Sequence, residues 1–162
     1  MTAALELSTN QFTHFFSEKK NTDEMIKLLD ILLERNHHLS RFYLSWDAAS
    51  WHISKRLSEQ IASNNVMADV TGSTRVAVAP LPAGAQFLNV IESVFSGMAR
   101  AVIHNSDYQS KEDAKAAIDR YFSERNEHFR TNPQRAGKRI WGNERQFATF
   151  SEANNCKDPT YR

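Results

Sequence analysis

Between Arg41 and Glu92 the chain alternates apolar strand, helix, apolar strand and helix, and this order limits the fold more than any other feature. Phe42 to Trp46 is almost continuously apolar or aromatic, the pattern of a parallel strand covered on both faces. Ile53, Leu57 and Ile61 then recur at helical spacing. The stretch ASNNVMADVTGST is polar and reads as loop from about Ser63. Arg75 to Pro80 is the second strand, stopped by Pro80 and Pro82 because proline cannot donate to a ladder. Phe87, Ile91, Val94, Phe95, Met98 and Val102 mark a long amphipathic helix from Phe87 to His104, broken by Asn105-Ser106-Asp107. Strands alternating with helices specify an α/β fold. Such folds place their chemistry at the carboxyl ends of the strands. Asp47 ends the first strand and Glu92 lies on the last of these helices, so the order can bring the two acids together.

The flanks add a hairpin and two helices. AALEL and QFTHFFS surround the turn-like Ser8-Thr9-Asn10, a β-hairpin over Ala3 to Ser17 with Phe12, His14 and Phe16 on one face. His14 reads as a packed or edge residue, because no second histidine or acid stands at a metal-binding spacing. Asn21 with Glu24 fits a capping box, and Met25, Leu28, Leu29 and Leu32 carry a helix to about Asn36. The adjacent His37 and His38 fall in the loop after it. Ser110 opens a last helix with Ala114, Ala117, Ile118, Tyr121 and Phe122 as its buried stripe, ended by Pro133 and Gly137.

Composition narrows the class. The chain is 41% hydrophobic and 24% charged, as in a soluble globular domain. No apolar run reaches the ~20 residues of a membrane span. Neither a signal peptide nor a zinc-binding cysteine set is visible, and Cys156 is the lone cysteine, so a cytoplasmic protein is expected. A net charge of +1 gives no steering by the whole molecule toward nucleic acid. The basic residues Arg125, Arg130, Arg135, Lys138, Arg139 and Arg145 nevertheless cluster, either along a phosphate backbone or simply on a solvated helix end and tail.

Each acid has two readings. Asp47 is either a metal-binding carboxylate at a strand end or the cap of a helix starting near Ala49 or Ser50. Glu92 borders the apolar stripe of its helix and is either functional or a solvated flank residue. Asn89, Glu92 and Ser96 share that flank as a polar seam. Mg²⁺ prefers oxygen ligands and is held by one or two carboxylates plus phosphates and waters. Two such ions about 3.5–4 Å apart suit phosphodiester chemistry, one on the attacking and one on the leaving oxygen.

WDAASWH followed by PLPAGAQFLNVIESVF resembles the second and third acidic blocks of bacterial insertion-sequence transposases of the Tc/mariner type. The closing RAGKRIWG and NNCKDP runs extend the likeness over almost the whole chain. The resemblance implies a DDE superfamily endonuclease domain with a ribonuclease-H-like fold and an Asp–Asp–Glu triad. Asp47 matches the second acid, and Glu92 the third through the Asn-x-Ile-Glu form of Asn89 to Glu92. His52 falls where relatives keep a histidine, near phosphate or on a helix surface. Ala48, Val90 and PAGAQF depart from the broad superfamily pattern, as a subgroup would.

The implied α/β architecture is a partial ribonuclease-H-like fold: a mixed sheet of the hairpin plus parallel strands, with flanking helices. The hairpin begins almost at Met1, so the first central strand and its Asp are expected to be missing, along with a helix-turn-helix. Residues 1–141 then form a truncated catalytic domain and 142–162 a polar, mobile tail. The implied cofactor is Mg²⁺ or Mn²⁺, two ions in a complete domain. The implied partners are DNA (transposon ends and target) and an N-terminal transposase segment or second subunit. With two carboxylates the chain is expected to be inactive alone. The alternative is a non-catalytic module that binds nucleic acid or a transposase subunit through Arg135, Lys138 and Arg139.

Overall fold

The computed structural model describes residues 1–46, 54–79 and 89–137. These form two two-stranded sheets, four α-helices and one turn of π-helix. Strands β1 (Thr2–Leu5) and β2 (Phe12–Phe15) make the expected antiparallel hairpin, with Leu5 opposite Phe12 and Thr2 opposite Phe15. Helix α1 (Thr22–Arg35) follows, its first turn capped by Asn21 Oδ1, which accepts from the Glu24 N–H at 3.1 Å. Strands β3 (Arg41–Leu44) and β4 (Arg75–Val78) pair in parallel around helix α2 (Lys55–Thr71). Helix α3 (Val90–Met98) runs into the π-turn Ala99–Ile103, where the His104 N–H reaches back five residues to the Ala99 carbonyl at 2.8 Å. Asn105 at φ 58° ends that segment, and Ser110 caps α4 (Lys111–Thr131) through the Asp113 N–H.

Two apolar cores result. The hairpin packs on α3 and α4 around Phe12, Val94, Met98 and Phe122, with the Phe12 and Phe122 rings stacked at 3.9 Å. His14 belongs to this core rather than to a metal site: it lies 4.9 Å from the Phe122 ring, and its Nε2 is 2.7 Å from Asp119 Oδ1. Gly97 lets α3 approach α4, since a β-carbon there would meet the Tyr121 hydroxyl at 3.2 Å. The second core gathers Leu29 of α1, Leu57 and Ile61 of α2, Val76 of β4, and Trp46, with Phe42 and Leu44 packed against it. Arg35 of α1 reaches the hairpin through Thr13 Oγ1 at 2.8 Å.

Three expectations change. The hairpin and the parallel pair do not join into one mixed sheet among the described residues, because no hydrogen bond links them. Among the described residues the β3 strand is covered on one face only. Its even positions face α1 and α2, which share that side, while Arg41 is exposed and Tyr43 is 71% exposed on the other. The polar stretch after Ser63 is not loop but the second half of α2, which ends at Gly72 in the left-handed conformation (φ 72°).

The last difference has a tertiary cause. Asn65 donates from Nδ2 to the Val76 carbonyl at 2.9 Å and accepts the Val76 N–H at 2.8 Å. Asn64 donates to the Thr74 carbonyl at 3.1 Å. The Arg75 and Ala79 N–H groups bond back to Ser40 and Leu44, so Val76 faces away from β3 and would otherwise be an open edge. The hairpin repeats the device. The Glu6 N–H bonds to the Gln11 carbonyl, which turns the Phe12 backbone outward. Asn126 of α4 accepts its N–H at 2.7 Å and donates to its carbonyl at 2.8 Å.

Asn65→Ala should lower the urea-unfolding free energy by about 1–3 kcal/mol, because it orphans the N–H of the buried Val76. Gly72→Ala should cost roughly 1–2 kcal/mol through its positive φ, although the space around it is open.

Candidate functional site

Glu92 occupies the first turn of α3, three residues after the N-cap Asn89. The Asn-x-x-Glu spacing is the one that opens α1, yet the two asparagines behave differently. Asn21 has an extended backbone and its side chain caps the helix. Asn89 has φ −80° and ψ 79° and makes no side-chain cap hydrogen bond. Its Nδ2 instead points at the Glu92 carboxylate, 3.4 Å from Oε1, a long contact that orients more than it binds. Glu92 itself is exposed. Val90 and Val94 anchor the helix beneath it, in part through the core with the hairpin. The result is an outward carboxylate on a rigid helix, available to a cation or to solvent, as the seam Asn89, Glu92 and Ser96 implies.

Asp47 and His52 lie outside the described residues. Asp47 follows Trp46 directly in sequence; Trp46 is 8% exposed within the core beneath β3 and β4. The capping role considered for Asp47 is filled on α2 by Ser54, whose Oγ accepts the Leu57 N–H at 3.3 Å. Among the described residues no three His, Cys, Asp or Glu side chains gather as a metal-binding group. Glu92 therefore fits a divalent ion as one oxygen ligand, and the described residues do not complete a set around it. The adjacent His37 and His38 stand edge to face at 5.9 Å, and His37 Nδ1 bonds with the Glu34 carbonyl.

The basic cluster divides. Arg125 is not presented to a ligand. It donates from Nη1 to the Asn10 carbonyl at 2.7 Å and from Nη2 to Asn10 Oδ1, and it lies over the Phe129 ring at 4.8 Å. Burial lowers its pKa from the ordinary value, with Tyr121 acting in the opposite direction. Asn10, buried and at φ 59°, is the hairpin-turn residue held by this clamp. Arg130 pairs with Glu127. Arg135 is exposed beyond the end of α4, while Lys138 and Arg139 lie outside the described residues. The clamp and the edge-sealing asparagines escape sequence reading; their signal was asparagine at interior helix positions, where helix propensity disfavours it.

The described residues form a mixed α/β arrangement with an exposed glutamate, Glu92, in the first turn of the helix that follows the parallel strand pair. Residues 1–115 match the family profile described as DDE superfamily endonuclease. The chain belongs to that family. The match spans Asp47, His52, Asn89 and Glu92 and stops short of Arg135, Lys138 and Arg139. No curated protein and no solved structure matched the chain. Membership implies a nuclease or transposase type of function with DNA as the substrate, and endonuclease domains of this family generally use divalent metals. Among the described residues no helix is long and apolar enough to cross a membrane.

Glu92→Gln should leave unfolding within about 0.5 kcal/mol of the parent, as expected for an exposed side chain. Arg125→Ala should cost about 1.5–3 kcal/mol through lost charge-assisted bonds to Asn10. The same variant should leave the salt slope of DNA binding unchanged, measured by fluorescence anisotropy.

Proposed function

We propose that the chain carries the second and third acids, Asp47 and Glu92, of a Tc/mariner-type insertion-sequence transposase site for phosphodiester cleavage and strand transfer. The observation that supports this reading most is Asn89, which gives up the helix cap and directs its amide at Glu92, inside a family match that spans both acids. Mg²⁺ or Mn²⁺, when bound, polarises the phosphate and activates the attacking oxygen. Glu92 would offer one carboxylate oxygen, oriented by Asn89, and Asp47 the other. His52 would lie against phosphate, and Arg135, Lys138 and Arg139 along the DNA backbone. A third carboxylate completes the set in this reading. The domain is read as ribonuclease-H-like on the same basis.

The test couples Mn²⁺ titration by electron paramagnetic resonance with a supercoiled-plasmid nicking assay in Mg²⁺. Asp47→Asn and Glu92→Gln should each weaken Mn²⁺ binding with no change in the circular dichroism spectrum. Asn89→Ala should weaken it by roughly 10–100-fold, the loss typical of a partner that orients a ligand. Nicking by the chain alone should be slight. Strong nicking that survives both acid substitutions would defeat the proposal. Salt-sensitive DNA binding without any metal binding would replace it with the non-catalytic module.

A further inference from the structure

The outward face of the parallel pair brings two arginines and a tyrosine together. Strand register sets Arg41 opposite Arg75 and Tyr43 opposite Ala77, on the side away from Phe42, Val76 and the core beneath them. Arg75 is half-buried and compensated by an ion pair with Asp69 of α2. Arg41 is exposed and joins no ion pair among the described residues. Tyr43 is 71% exposed, with only the small Ala77 side chain level with it on β4. Neither a hydrogen bond of its hydroxyl nor a ring contact holds it among the described residues. Both features cost the bare sheet stability. Like charges opposite each other on a ladder repel, and the Tyr43 ring keeps its apolar faces in water. A ligand with an anion beside a flat ring would offset both.

We propose that this face binds a single strand of nucleic acid, with a phosphate at Arg41 and an unpaired base on the ring of Tyr43. The spacing suits one nucleotide. Two residues along a parallel strand span about 6.6 Å, of the order of the reach from a phosphate to its own base. A guanidinium meets phosphate with paired N–H donors. Stacking on an aromatic side chain accepts any base, since every base has a π-face. Duplex DNA offers Tyr43 no such face, because neighbouring pairs cover it. An acidic peptide would meet Arg41 and leave Tyr43 unused, so the exposed ring favours the nucleic acid. Neither contact requires Asp47, Glu92 or a metal.

The test measures binding of the full chain to fluorescein-labelled oligothymidylate of about eight nucleotides by anisotropy. EDTA is present throughout, so that metal held by Asp47 and Glu92 plays no part. Tyr43→Ala should weaken binding roughly 5–100-fold, whereas Tyr43→Phe, which keeps the stacking surface, should bind as the parent does. Arg41→Ala should weaken binding and lower the salt slope by about 0.7, the share of one phosphate on a single strand. These are exposed positions, and the circular dichroism spectrum should not change. In protein with labelled tyrosine rings, the oligonucleotide should move the Tyr43 signals upfield, with Tyr43→Phe identifying them by their loss. The proposal is overturned if the strand does not bind in EDTA, or if Tyr43→Ala binds as tightly as the parent. It is also overturned if a glutamate decapeptide binds as tightly as the strand, dependent on Arg41 and indifferent to Tyr43, since the face would then hold acidic peptide.

Discussion

Short sheets are governed by their unpaired backbone groups. With two strands each, both sheets here expose as much edge as they bury, and every outward N–H or C=O that lacks water or a partner is a cost. The chain answers with asparagine side chains, which offer a donor and an acceptor about as far apart as those of one residue of strand. Asn65 reads Val76 and Asn126 reads Phe12, each from within a helix. These contacts fix the helices as much as the strands: α2 is held along β4, and α4 along β2. Both apolar cores form inside that frame, one under the parallel pair and one under the hairpin.

The same side-chain chemistry has a second use at α3. An asparagine before a helix normally spends its carbonyl on the first-turn N–H groups, as Asn21 does. Asn89 leaves that bond unmade and sets its amide beside a carboxylate instead. A first-turn glutamate gains from the helix dipole in any protein. What sets Glu92 apart is that its neighbour is turned toward it while the carboxylate remains open to solvent. Family membership then gives that arrangement a chemical context in DNA processing.

Local patterns carried much of the fold into the sequence. The hairpin, the Asn21 and Ser110 caps, the stripe of α4 and the break at Asn105 all rest on near neighbours, and all are found where residue spacing puts them. Long-range contacts carried the rest. ASNN looked like loop because asparagine is a poor helix former, yet those amides are satisfied by the Thr74 and Val76 carbonyls, ten and eleven residues away. Phe42 to Trp46 looked buried on both faces, but with α1 and α2 on the same side Tyr43 is left outside. Arg125 looked like part of a basic run, either along phosphate or on a solvated helix end, and is a tie to the hairpin turn. Of the candidate site residues, Glu92 and Asn89 stand at the start of a helix as their spacing suggested, whereas Asp47, His52, Lys138 and Arg139 stand outside the described residues.

The tie between α4 and the hairpin sets the span of the family match against the unit of folding. Family likeness stops at residue 115, one turn into α4. Phe122, Arg125 and Asn126, which stack on Phe12, grip Asn10 and seal the β2 edge, all come later. A piece cut where the likeness ends would keep the family match and lose the ring, the cation and the amide that its first strands close upon. The part of this chain that the family profile covers is thus completed by residues that lie beyond it.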